Sequence, residues 1–212
     1  MINILTSALF ETLYMSLVST LLAVIIGFGL AIVLIFTAKD GLRENKTIYS
    51  SLDLVINTLR SFPFIILMIV LFPLTKLLIG QSIGTTAAII PLTIGAAPFV
   101  ARLIESALKE VDLGVIEAAK SFGASDFQII FKVMFVEALP AIISAITLTL
   151  ITVIGFSAMA GAVGGGGLGD VAIKYGYYRF QVDTMVYTVI ILIALVQFVQ
   201  SLGDYFYKKT KK

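Results

Sequence analysis

A chain of 212 residues that is 59% hydrophobic and only 13% charged, with a mean hydropathy of +1.05, falls far below the roughly 25% charged content of a soluble domain and is expected in a bilayer. Cys and His are both absent, which excludes a disulfide framework, thiolate metal sites and the commonest general base, so no metal site is expected. The formal net charge of +2 is too small to suggest nucleic acid.

Five stretches are long and apolar enough to cross a hydrocarbon core of about 30 Å as helices of about 20 residues. The first, residues 13–36, lies in a charge-free run between Glu11 and Lys39. It is too long for a signal-peptide core and lacks a basic run before it, so it is expected to remain in the mature protein. The second, 54–78, carries Arg60 and Lys76 near its ends, where long side chains reach the interface. The third covers 85–103. Pro63 and Pro73 in the second and Pro91 and Pro98 in the third are expected to break these helices; ordinary kinking is the alternative for any one of them.

A polar segment, 105–137, follows. Asp112 is placed to N-cap a short helix with Leu113, Ile116, Ala119 and, more loosely, Phe122 on one face, and Gly123 suits the left-handed position that stops it. Ser125-x-x-Gln128 then reads as a capping box with Asp126 in the first turn. The second helix runs through Phe131 and Phe135 into the fourth span, 139–163. Ala118 and Ala119 keep the short helix thin enough for another backbone to approach, and Glu117 adds an acidic handle; a plain solvated linker is the alternative. The fifth span is 184–207, after an outer loop, 170–183, that holds Tyr175, Tyr177, Tyr178 and Arg179.

Orientation follows from Lys and Arg. Ten of the 15 fall between spans one and two, between three and four, and in the tail, which ends in Lys208, Lys209, Lys211 and Lys212, and Arg60 and Arg102 stand just inside the adjoining spans on that side, making twelve. Only Lys76, Lys174 and Arg179 fall on the other side. The N-terminus is therefore expected outside and the C-terminus in the cytoplasm, which puts segment 105–137 in the cytoplasm.

Glu117-Ala118-Ala119-x-x-x-Gly123 resembles the EAA motif of the ABC importer permeases that work with a binding protein. That pattern continues ten residues after the Gly with Ile-x-Leu-Pro; here Val133-Met134-Phe135-Val136 stands there and Leu139-Pro140 comes four residues late, a departure confined to the path into span four. RSFPFIILM (Arg60 to Met68), PLTIGAAPFVAR (Pro91 to Arg102) and GFSAMAGAVGGGGLGD (Gly155 to Asp170) are similar to the methionine-importer subfamily and carry the resemblance across nearly the whole chain. It implies an all-α, five-span permease domain over 1–212 in the bacterial inner membrane, non-catalytic, without a cofactor of its own. It also implies a homodimer with one path on its twofold axis, embedded in membrane lipid. Its partners would be two cytoplasmic ATPase subunits that bind ATP and Mg, and an extracytoplasmic binding lipoprotein for D- or L-methionine. On that resemblance the short helix docks in a groove of the ATPase, with Glu117 as handle, Ala118 and Ala119 allowing close approach, and Ser121, Phe122 and Gly123 shaping the end that enters.

The glycine-rich stretch Gly155 to Gly169 needs its own reading. A phosphate loop requires Lys after the last Gly, where Asp170 stands. Gly167-Leu168-Gly169-Asp170 also fits the pattern of intramembrane aspartyl proteases, but these need a second carboxylate at the same depth, and Asp53 and Asp204 map to the opposite side. A mobile outer segment, with glycines permitting close contact across a dimer axis, is the expectation. Ser157 reads as a polar neighbour of the path and Met159 as a flexible apolar gate, with plain packing the alternative for Met159. The outer tyrosines are either a docking surface for the binding protein or an aromatic belt. No specificity pocket is visible. An ion-coupled transporter is disfavoured, since the centres of spans one, three, four and five hold no ionisable residue. A passive channel, an assembly partner, or a permease for another small solute stays open.

Overall fold

The computed structural model describes residues 1–39 and 41–211; Lys212, counted above with the tail cations, lies outside the described residues. Among these residues all the regular structure is helical. Four helices are long and apolar enough to span a membrane: α1 (Ile2–Thr37), α5 (Thr85–Lys109), α9 (Leu139–Ala162) and α11 (Val182–Thr210). The sequence of shorter elements between them is α2 (Lys46–Ser61), α3 (Phe64–Val70), α4 (Phe72–Ile79), α6 (Leu113–Ser121), α7 (Asp126–Gln128), α8 (Phe135–Glu137) and α10 (Gly167–Val171). Two π-helical segments, Ile129–Met134 and Ala172–Tyr177, extend α7 and α10.

α5 is the central element. Two thirds of its apolar window is buried (67%), against 17% for the peripheral α11. It lies along α1, and the seam is written in small residues: Ala23, Gly27 and Ala31 are buried at intervals of four on α1, facing Ala88, Leu92, Ala96 and Val100 of α5. Lipid gives no hydrophobic incentive for helices to pair, so close approach through small side chains supplies the attraction. At Gly27 the approach is so close that a Cβ would sit 2.6 Å from Val100 Cβ and 2.7 Å from the Ala97 carbonyl oxygen.

Several expected boundaries shift. The first helix starts at Ile2 instead of residue 13, because Glu11 does not interrupt it: that carboxylate accepts a hydrogen bond from Gly167 N at 2.7 Å. The expected second span, 54–78, is not a single rod. α2 begins at Lys46, turns 103° into α3 at Ser61–Pro63, and α4 starts anew at Phe72 with Pro73 in its first turn. The prolines thus break span two as expected, since neither can donate to the preceding turn. Span three shows the opposite outcome: α5 continues through Pro91 and Pro98. Ser19 of α1 donates to the Ile89 carbonyl oxygen at 3.4 Å, a tie from the neighbouring helix beside Pro91. The expected outer loop 170–183 is largely helical, as α10 and its π extension.

Candidate functional site: the short helix α6 and its anchorage

α6 is built by local signals. Asp112 accepts from the backbone N–H groups of Gly114 (2.7 Å) and Val115 (3.3 Å), satisfying two donors that a helix start leaves free. Gly123, at φ +78°, reverses the chain, and its N–H returns to the Lys120 carbonyl at 2.9 Å. The capping box is complete: Ser125 N donates to Gln128 Oε1 at 2.9 Å and Gln128 N to Ser125 Oγ at 3.4 Å.

Only Ile116 and Ala119 of the expected apolar face touch the core. Leu113 is exposed and Phe122 is 91% exposed, because Phe122 lies beyond the last helical turn and points away from the bundle. Glu117, Ala118, Ser121, Phe122 and Gly123 therefore share an open surface, with Ser121 Oγ bound back to the Glu117 carbonyl at 3.0 Å. A bare, well-capped helix end with one carboxylate and one bulky ring suits insertion into another protein's groove. A cavity of about 220 Å³ lies between α6, the C-terminal end of α1 and the C-terminal end of α5.

The segment that follows α6 is anchored to the bundle. Phe127 packs on Phe131 (4.4 Å between centroids), and Phe131 and Phe135 pack on Phe28 of α1 at 6.3 and 5.6 Å. Arg43, in the α1–α2 connection, pairs with Asp126 at 2.9 Å. The helix pair is thus mechanically joined to α1 and α9.

Sequence reasoning missed a second constellation. Glu105, only 3% exposed, accepts from Arg102 Nη1 (2.7 Å), Lys109 Nζ (2.7 Å) and Tyr49 Oη (3.0 Å). Arg102 also pairs with Asp53 and donates to Asn57 Oδ1 at 3.1 Å. Two carboxylates and two cations so lock α2 against α5, next to Ile56, which is wedged between Leu34 and Ala101. Arg102-x-x-Glu105-x-x-x-Lys109 places three charges on one helical face, a signal available in the sequence; the partners on α2 were not.

At the other end of the bundle most of the glycines between Gly161 and Gly169 are closely packed. Gly167 N and Leu168 N donate to Glu11 Oε2 (2.7 Å) and Thr12 Oγ1 (2.9 Å), and Leu168 is fully buried. A Cβ on Gly161 would lie 2.3 Å from Asp170 N, and one on Gly169 would lie 2.3 Å from the Ala158 carbonyl oxygen. These glycines serve contacts within the chain. Ser157 and Met159 are not brought together. Two positions apart on a helix point roughly 200° apart: Ser157 is buried with Oγ bonded to the Ile154 carbonyl at 2.7 Å, whereas Met159 is 48% exposed and free to meet another chain. Tyr177 and Tyr178 are exposed, and Arg179 lies over the Tyr175 ring at 4.7 Å.

A bundle of apolar helices that carries an exposed, well-capped short helix is compatible with a transport permease. Residues 27–212 match the family described as the binding-protein-dependent transport system inner membrane component, and the chain belongs to that family as a multi-pass inner-membrane protein. It is 53% identical to the probable D-methionine transport system permease protein of Vibrio cholerae, over 95% of this chain and 90% of that one. It is 51% identical to the methionine import system permease protein of Bacillus subtilis, over 93% and 89%. Among solved structures, a chain of the MetNI methionine ABC transporter in an inward-facing conformation matches with a TM-score of 0.98 and 41% identity, covering 100% of this chain and 98% of that one.

Proposed function

We infer that the chain is the permease of an ATP-driven methionine importer. The observation that carries this reading is full-length likeness to methionine permeases, in sequence and in backbone. The finer assignments rest on geometry. α6 is the docking helix, with Glu117 and Phe122 as its contact points for a cytoplasmic ATPase that binds ATP and Mg. Two copies of the chain enclose the path, and the exposed Met159 closes it near the outer end, while buried Ser157 steadies the α9 turn behind it. A binding lipoprotein delivers D- or L-methionine at the outer face. Coupling then requires two helix arrangements of similar free energy, biased by nucleotide below and loaded binding protein above.

The test is uptake of labelled methionine by proteoliposomes containing this permease, its ATPase and its binding protein. ATP-dependent accumulation of methionine, competed by methionine and not by betaine or phosphonate, is expected. Accumulation of another solute in preference to methionine would reassign the substrate, and ATP-independent leak would favour a channel.

A further inference from the structure

Arg60 stands at the α2–α3 bend without an ionic partner among the described residues. Its depth follows from how α2 runs antiparallel along α5: Tyr49 meets Glu105, Asp53 meets Arg102, and Phe64 meets Gly95. Arg60 therefore arrives level with the middle turns of α5, where Phe99 borders the same cavity, and Thr152 and Phe156 border it from the middle of α9. A guanidinium at that depth is costly unless it faces a water-filled path or meets an anion.

The cavity is open on one side, where Arg60 and Phe62 are exposed, and holds about 210 Å³, the scale of a small solute. Phe64 and Phe156 form its wall, stacked with centroids 4.3 Å apart and planes 3° apart. Gly95 permits that arrangement, since a Cβ there would press on the Phe64 ring at 3.2 Å.

We propose that this cavity is a substrate site within the membrane, taking a zwitterionic amino acid with an apolar or thioether side chain. Arg60 pairs with the α-carboxylate in a two-pronged, charge-assisted contact. Thr152 donates its own proton to the Leu148 carbonyl at 2.8 Å, so its oxygen keeps lone pairs for the α-ammonium. The Phe64 and Phe156 rings receive the side chain, and a thioether sulfur is favoured at a ring edge. The proposal rests on the methionine reading above and adds selection inside the permease to selection by the binding protein.

The assembled complex of permease and ATPase is irradiated with photo-methionine, the diazirine analogue, and labelled peptides are mapped. Labelling is expected at the Arg60–Phe64 bend or at Thr152–Phe156. Excess methionine should suppress it, methionine amide should not, and Arg60→Gln should reduce it about tenfold, the worth of one charge-assisted hydrogen bond. Arg60→Lys should restore part of it, and retained ATPase co-purification shows that each variant is folded. Labelling confined to other segments, or unchanged in Arg60→Gln while the wild type imports methionine, overturns this site and leaves the transport reading intact. Failure of the wild-type complex to import methionine overturns both.

Discussion

Glu105 shows how much one side chain can hold. It lies buried between Arg102 and Lys109 and also takes the Tyr49 hydroxyl, so truncating it removes the acceptor that these three groups share and leaves Arg102 with Asp53 and Asn57 alone. Glu105→Ala should lower stability by about 2 kcal/mol, the order of the charge-assisted hydrogen bonds lost, read as a reduced thermal midpoint in detergent. Glu105→Gln, which keeps the volume and one acceptor, should fall between it and the wild type; equal midpoints for all three would show that the network is solvated and unimportant. This constellation was illegible in the sequence beyond its i, i+3, i+7 spacing, since Asp53 and Tyr49 come from an element whose docking is decided by tertiary packing. Asp112, Gly123 and Ser125 with Gln128 were legible because each bonds within three residues of itself. Phe122 lay between these cases: periodicity put it on the inner face, and termination of α6 one residue earlier turned it outward.

Among elements, α6 depends most on its ends. Nine residues make an intrinsically marginal helix, so the cap and the glycine turn decide whether it is a rigid lever or a frayed loop. Asp112→Ala should cost about 1 kcal/mol locally and speed hydrogen exchange at the Gly114 and Val115 amides, with α5 amides unaffected. Unchanged exchange there would mean that packing of Ile116 and Ala119 alone orders the helix. Although α10 and its π extension read as a loop, the spans were readable as helices, and α9 and α11 nearly so in their ends, because hydropathy reports what is apolar. It does not report direction, so the 103° turn after Ser61 was visible only as a proline. Nor does it separate a glycine that loosens a segment from one that admits a neighbour's backbone: the Gly161 and Gly169 contacts depend on α10 folding back onto α9.

At the scale of the molecule the two ends differ in kind. At one end α10 is hydrogen-bonded to α1 and packed glycine-to-backbone on α9. At the other, α6 meets the apolar core through Ile116 and Ala119 and stands over a cavity of about 220 Å³, while the segment after it, Phe127 to Phe135, is joined to α1 by packed phenyl rings. On the proposed orientation that asymmetry suits a bundle driven from the α6 end. The most direct check is co-purification of the ATPase with C-terminally tagged permease, comparing wild type with Glu117→Lys, followed by ATP hydrolysis and methionine uptake after reconstitution. The wild type should retain the ATPase through mild detergent, and the charge reversal should lose it, or keep hydrolysis while losing uptake. A wild-type permease that purifies without any ATPase in several mild detergents, or a Glu117→Lys permease that binds and transports normally, would contradict the role assigned to α6.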